Sequence, residues 1–263
     1  MRSRTPRDER RRTLGQNFLV DERAIARVVA SLDLEPGSLV LDLGAGRGAL
    51  TRAAAQHGAR VLAVEIDPAW ARALRREAAR WGDVRVVRRN ALALRFPSEP
   101  FRVLASPPYG IATRIVRRLL AEGHGLQEAA LVLQAEAARR LAGVPSTGRF
   151  AALWAPWYSL EVGARVPRHS FRPVPSVDSA VLRITPRARP LLSPGAFAHY
   201  ERFIARVFEG RGRTVAERLG RGTGARGVRA ALGRLGLDPS VTPSRVPAPG
   251  YAELFRELGP PSG

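Results

Sequence analysis

The chain has no cysteine and no lysine. The first absence excludes disulfides, thiolate catalysis and cysteine metal sites. The second excludes lysine nucleophiles and Schiff-base chemistry, and it makes all 43 basic side chains arginines. Histidine is scarce. His57, His124, His169 and His199 are scattered without ligand spacing, so no metal centre is expected. No apolar run approaches the roughly 18 residues that a membrane span needs. The arginine-rich opening, Met1–Arg12, lacks the apolar core of a secretory signal. A cytoplasmic protein with no membrane partner is the expectation. Negative charge is also in short supply: 23 acidic residues leave a formal charge of +20. Such an excess favours polyanions and makes their binding salt-dependent. Arginine grips phosphate bidentately and stacks on bases. A genome rich in G and C would replace lysine with arginine throughout, so the net excess says more than the missing lysine.

Three motifs stand out against this background. Leu39-Val40-Leu41-Asp42-Leu43 runs into Gly44-Ala45-Gly46-Arg47-Gly48, and a helical pattern follows from Ala49 to Gln56. Strand, tight turn and helix in that order open a nucleotide-binding α/β fold. Glycines let the backbone approach a ligand where a Cβ would clash, and the G-x-G-x-G spacing differs from that of dinucleotide enzymes. A second strand, Arg60–Val64, ends in Glu65-Ile66-Asp67. Glu65 lies about twenty residues past the glycines, where an acid can hold both hydroxyls of a ribose. The third motif, Ser106-Pro107-Pro108-Tyr109, ends a predicted strand, Phe101–Ala105.

That third motif suits a site that grips an exocyclic amino group. The nitrogen of such a group is a poor nucleophile because its lone pair is delocalised into the base. One side-chain acceptor and one backbone carbonyl can hold both N–H bonds and localise the pair. Prolines fix φ and hold the preceding residue extended, giving a rigid shelf, and an aromatic ring beside it can stack on a flipped base. Alone, the motif reads more readily as a proline-rich turn ending a strand. Glycine turn, acidic strand end and Pro-Pro-Tyr together point to an S-adenosylmethionine-dependent amino-methyltransferase.

Further segments carry a family resemblance: Gln16-Asn17-Phe18-Leu19, Val64-Glu65-Ile66-Asp67, and Phe171-Arg172-Pro173-Val174-Pro175-Ser176-Val177-Asp178-Ser179-Ala180. With the motifs above, they resemble the rRNA adenine N6-methyltransferases, over about Gln16 to Thr185. That family contains the erythromycin-resistance methylases and the small-subunit rRNA dimethyladenosine transferases. Ala151-Ala152-Leu153-Trp154-Ala155-Pro156-Trp157-Tyr158 is similar to the resistance branch. The resemblance implies a class I methyltransferase fold, Rossmann-like with a seven-stranded sheet and a last antiparallel strand. It implies S-adenosyl-L-methionine as cofactor, no metal, and 23S rRNA as the favoured partner. By resemblance, Asn17, Leu19, Gly44, Gly46, Glu65, Ile66, Asn90 and Ser106 contact the cofactor, Ser106, Pro107, Pro108 and Tyr109 form the catalytic motif, and Phe171 helps clamp the flipped adenine. Two positions depart from the family pattern. Asn90 stands where Asp is usual, and Ser106 where Asn opens the catalytic motif. Each replacement keeps an acceptor oxygen, so retained chemistry is expected, with an altered rate or methyl count.

Three domains are expected: a basic flexible tail over residues 1–15, a catalytic domain over 16–186 and a small helical RNA-binding domain over 187–263. Within the catalytic domain, helices are predicted at Glu22–Leu32, Pro68–Arg80, Ala112–Ala121 and Glu136–Leu141. Strands are predicted at Val84–Arg88, Leu126–Gln134, Trp157–Val162 and Ser179–Ile184. Beyond the linker Pro186–Pro190, helical spacing covers Ala196–Phe208, Thr214–Leu219, Val228–Leu235 and Tyr251–Leu258. The Gly-Arg stretch Glu209–Arg226 reads as an RNA contact or a flexible loop. A monomer is expected, since nothing forms a coiled coil. Other readings stay open: a 16S rRNA dimethyladenosine transferase, a DNA adenine methyltransferase, or an RNA-binding assembly factor without turnover.

Overall fold

The computed structural model describes residues 17–122 and 124–259. The expected basic tail and Gln16 lie outside the described residues. Strand β1 (Phe18–Leu19) leads into helix α1 (Glu22–Val29), which Asp21 caps by accepting from the Arg23 and Ala24 N–H groups. Strand and helix then alternate: β2 (Leu39–Leu43), α2 (Ala49–Gln56), β3 (Arg60–Glu65), α3 (Pro68–Ala78) and β4 (Val84–Arg88). A 3-10 turn at Ala91–Ala93 precedes β5 (Phe101–Ala105), α4 (Tyr109–Glu122), β6 (Leu126–Gln134) and α5 (Ala135–Ala142). The chain continues through α6 (Arg149–Trp154), β7 (Tyr158–Val166), β8 (Phe171–Arg172) and β9 (Ser179–Pro186). Four helices close the described chain: α7 (Phe197–Glu209), α8 (Val215–Thr223), α9 (Ala225–Arg234) and α10 (Gly250–Leu258).

Seven strands form one sheet in the order β4-β3-β2-β5-β6-β9-β7. The β2, β3, β4, β5 and β6 strands are parallel neighbours, and β9 runs antiparallel to β6, with Gln134 opposite Ser179. This is the class I methyltransferase fold expected from the sequence. Strand order reverses at β2 and β5, so the crevice beyond their carboxyl ends is where ligands bind in such sheets. Helices cover both faces of a parallel sheet, which is why its central strands read as nearly unbroken apolar runs. Val40, Leu41 and Leu43 of β2 are fully buried.

The chain divides into two compact units, Met1–Ala138 with Glu161–Thr185, and Arg139–Leu160 with Pro186–Gly263. A single cut at residue 186 therefore differs from the observed division. Arg139–Leu160 goes with the helices because Ala152, Leu153 and Trp157 pack with Tyr200, Phe203 and Phe255 in their core. The Tyr200 hydroxyl also donates to the Ala152 carbonyl at 2.8 Å.

Four features differ from expectation. The α6 helix and the two-stranded antiparallel sheet of β1 with β8 have too few residues to show a period. Helix α4 starts at Tyr109, three residues before its predicted start, since the Pro108 carbonyl already accepts from the Ile111 N–H at 3.0 Å. Much of the Gly-Arg stretch is helical. Thr214 and Glu217 form a reciprocal capping box that starts α8.

Candidate active site

The carboxyl ends of β2, β3, β4 and β5 converge on a cavity of about 470 Å³. Its walls include Asn17, Gly44, Gly46, Glu65, Ile66 and Asn90, and also Ser106 and Pro108 of the catalytic motif. A smaller adjoining pocket is lined by Asn17, Leu19, Asp42, Gly44, Gly46 and Ser106, among others. Residues separated by more than ninety positions in the sequence thus share one wall.

The glycine turn is held against β3, where the Val64 carbonyl accepts from the Gly44 and Ala45 N–H groups at 2.9 and 3.0 Å. Gly46 adopts φ +53°, and a Cβ there would meet the Phe18 ring at 2.9 Å. Any side chain would expel Phe18 from its seat. Phe18 packs on Trp70 with centroids 5.0 Å apart, and the Arg47 guanidinium lies over both rings at 5.5 and 5.3 Å.

Glu65 is only 3% exposed. Its Oε2 accepts from the Gly46 N–H and its Oε1 from the Asp67 N–H, both at 2.8 Å. Burial pushes its carboxyl up, while the N–H groups of Asp67, Gly46 and Ile66 pull it back. With both oxygens accepting, the hydrogen bonds favour the carboxylate. Three N–H groups on the two oxygens leave one acceptor site of the carboxylate free, which suits a ribose hydroxyl. Asn90 begins the 3-10 turn, and its Oδ1 accepts from the Leu92 N–H at 2.9 Å. One lone pair of that oxygen is therefore committed to the turn, and one is left toward the cavity. Arg118 fixes the same turn by donating to the Ala91 and Leu94 carbonyls at 3.2 and 3.0 Å.

Ser106 is partly buried, Pro107 buried, and Tyr109 opens α4. The Tyr109 and Ser179 hydroxyls are 2.8 Å apart and hydrogen-bonded. Burial raises the phenol above its ordinary range, and the Ser179 bond opposes this. Neither Pro107 nor Tyr109 lines the larger cavity. Phe171 departs from the clamping role expected of it. Its side chain is 1% exposed and packs in the core with Leu19, Val28 and Val166. The residue instead pairs with Leu19 across the β1–β8 sheet, so it holds the Asn17–Leu19 segment in place.

Several lining residues escaped the sequence reading. Gly110, Ile111 and Arg114 share one face of α4, which helical spacing reveals only once the helix is known to start at Tyr109. Arg89 and Leu92 flank Asn90 without a motif to mark them. Asp42 sat inside the glycine motif, but nothing singled it out. It is 2% exposed, and its Oδ2 accepts from the Thr51 hydroxyl at 2.6 Å. Burial raises its carboxyl from 3.8 to about 7; the Thr51 hydrogen bond opposes this and nearby Glu65 adds to it.

This shift has a sign that can be tested. The folded state binds the Asp42 proton more tightly than the unfolded state does, so the contribution of Asp42 to stability falls as pH rises from about 4 to about 7. The slope is at most ~1.4 kcal/mol per pH unit. Asp42→Asn keeps the acceptor for Thr51 and does not titrate. Its stability relative to the unaltered protein is expected to climb across that window and level off above it. Urea unfolding at pH 5, 6, 7 and 8 measures the difference, and a flat difference would contradict the burial argument.

No helix among the described residues is long and apolar enough to cross a membrane. A sequence profile of ribosomal RNA adenine dimethylases matches residues 7–258. An rRNA adenine N-6-methyltransferase of Saccharopolyspora erythraea is 37% identical over 97% of this chain and 67% of its own length. The mycinamicin-resistance protein MyrB of Micromonospora griseorubida is 39% identical over 96% of this chain and 80% of its own. The crystal structure of the 23S rRNA methyltransferase ErmE superposes with a TM-score of 0.85 at 35% identity, covering 92% of this chain and 99% of that one. A profile matched almost end to end, and relatives well above 30% identity, place the chain in the ribosomal RNA adenine dimethylase family.

Proposed function

We propose that this protein methylates N6 of an adenine in 23S rRNA with S-adenosyl-L-methionine as donor. The outcome is resistance to macrolide, lincosamide and streptogramin B antibiotics. The observation that carries the reading is the shared wall: Ser106 and Pro108 border the same cavity as Gly44, Gly46, Glu65 and Asn90. The volume suits a cofactor of this size. The glycines Gly44 and Gly46 on the cavity wall, and the buried carboxylate of Glu65 beside them, suit an adenosine with a free ribose hydroxyl. Bound there, the donor supplies a methyl carbon already made electrophilic by its sulfonium charge.

The protein's own groups do the placing. Glu65 would hold the ribose, Asn90 the adenine edge of the cofactor, and Asn17 with Leu19 would flank it on the glycine side. Ser106 Oγ and the Pro107 carbonyl accept the two N–H bonds of the target amino group, which localises its lone pair toward the methyl carbon. Tyr109 offers its ring to the flipped base and is steadied by its bond to Ser179. No strong base is needed, because the methylated amino nitrogen is acidic enough to lose its proton to solvent.

The direct test is incubation with labelled S-adenosyl-L-methionine and protein-free 23S rRNA, 16S rRNA or duplex DNA, followed by mass spectrometry of the nucleosides. N6-methyladenine confined to 23S rRNA is the expected result. Product confined to 16S rRNA or DNA would replace the substrate, and binding without product would favour an assembly role. Ser106→Ala is expected to lower the rate about tenfold, the worth of one hydrogen bond of ~1 kcal/mol or slightly more. A rate equal to that of the unaltered protein would remove the hydroxyl from the mechanism.

A further inference from the structure

The loop between β8 and β9 exposes two large apolar side chains, Val174 at 51% and Val177 at 44%. Pro175 between them is buried, and Pro173 and Pro175 both fix φ. The loop is tied at both ends to the active site. Arg172 pairs with Phe18, and both Phe18 and the adjacent Asn17 line the cavity. At the other end, Ser179 bonds the Tyr109 hydroxyl. Asp178 adds a further anchor: its Oδ1 accepts from the Arg168 N–H at 2.9 Å, its Oδ2 from Arg165 Nε at 3.1 Å, and its carbonyl from the Ala135 N–H at 3.0 Å. Arg168 and Arg172 lie near the tip in sequence and carry positive charge, while Arg165 is paired with Asp178. An apolar tip held firmly beside the catalytic motif, among arginines, fits a base stack edged by phosphates.

Extracting a base from its stack leaves a gap between its neighbours, and apolar side chains fill such gaps in kinked nucleic acids. We propose that Val174 and Val177 form a wedge that enters the rRNA base stack beside the target adenine and keeps that adenine extruded. This rests on the adenine methylation proposed above. The wedge acts on the RNA before transfer, so it matters only where the adenine starts out stacked.

The test uses the full chain with Val174→Ala and Val177→Ala combined, on two RNAs. One is a folded 23S rRNA transcript; the other is an unstructured oligonucleotide carrying the same adenine and flanking bases. The double variant is expected to methylate the folded RNA about tenfold more slowly, because the flanking bases can restack into the gap that the valines fill. Its rate on the unstructured RNA should stay within about twofold, and its cofactor affinity should be unchanged. With 2-aminopurine at the target position, the fluorescence rise on binding folded RNA should shrink in step. Equal slowing on both RNAs, or none on the folded one, would overturn the wedge. If the unaltered protein methylated neither RNA, the function proposed above would fall with it. Transfer by the unaltered protein to the unstructured RNA keeps the two questions separate.

Discussion

Tyr109→Ala is expected to slow methyl transfer about 10- to 100-fold, the effect of losing one base–aromatic stack of ~1–3 kcal/mol. Cofactor affinity should stay within about threefold, because Tyr109 is not among the residues that line the larger cavity. Tyr109→Phe separates ring from hydroxyl. It keeps the stacking face and loses only the 2.8 Å bond to Ser179, worth ~0.5–1.5 kcal/mol, so its rate should fall less than about tenfold. Single-turnover methylation with calorimetric cofactor titration reads both quantities. Equal losses in the two variants would assign the effect to the hydroxyl, and an unimpaired alanine variant would move the stacking elsewhere.

The larger effect on binding is expected at Glu65. Removing its carboxylate orphans the Gly46 and Asp67 N–H groups that it holds at 2.8 Å. Hydrogen bonds to a charged group are worth ~1.5–3 kcal/mol each, so Glu65→Ala should weaken cofactor binding about 100-fold or more. Glu65→Gln is the sharper variant, because it keeps the shape of the side chain. Both oxygen positions face N–H donors, so either orientation of the amide sets an NH2 against a donor. We expect Glu65→Gln to retain the fold by circular dichroism while losing cofactor affinity nearly as severely as alanine does. Binding at the level of the unaltered protein would show that the glycine turn stands without the carboxylate.

Local spacing carried much of the site. A glycine turn after an apolar run, and an acid at the end of the next strand, fix their own geometry within a few residues. For this reason Gly44, Gly46 and Glu65 stand on one wall, as their motifs suggested. Phe171 shows the limit of such reading. Its motif marks it for the site, but the burial of its ring depends on pairing with Leu19, about 150 residues earlier. Asn90 was legible as an acceptor, whereas its bond to the Leu92 N–H depends on a 3-10 turn too short to show a period. The membership of Arg139–Leu160 in the helical unit was equally hidden. It follows from contacts of Ala152 and Trp157 with residues near 200.

The pairing of β1 with β8 also has a consequence during synthesis. Phe18 and Leu19 find their strand partners only in Arg172 and Phe171, the Val20 N–H donates to the Ser170 carbonyl, and the Ser170 hydroxyl donates to Asp21. A nascent chain that has passed β6 possesses the glycine turn, Glu65 and the Ser-Pro-Pro-Tyr segment, and Phe18 already has Trp70 and Arg47 beside it, yet the Asn17–Leu19 segment still lacks its strand partner. The β1–β8 pairing therefore forms late, after residue 172 has left the ribosome. Any product that stops short of that point carries the signature motifs without that pairing.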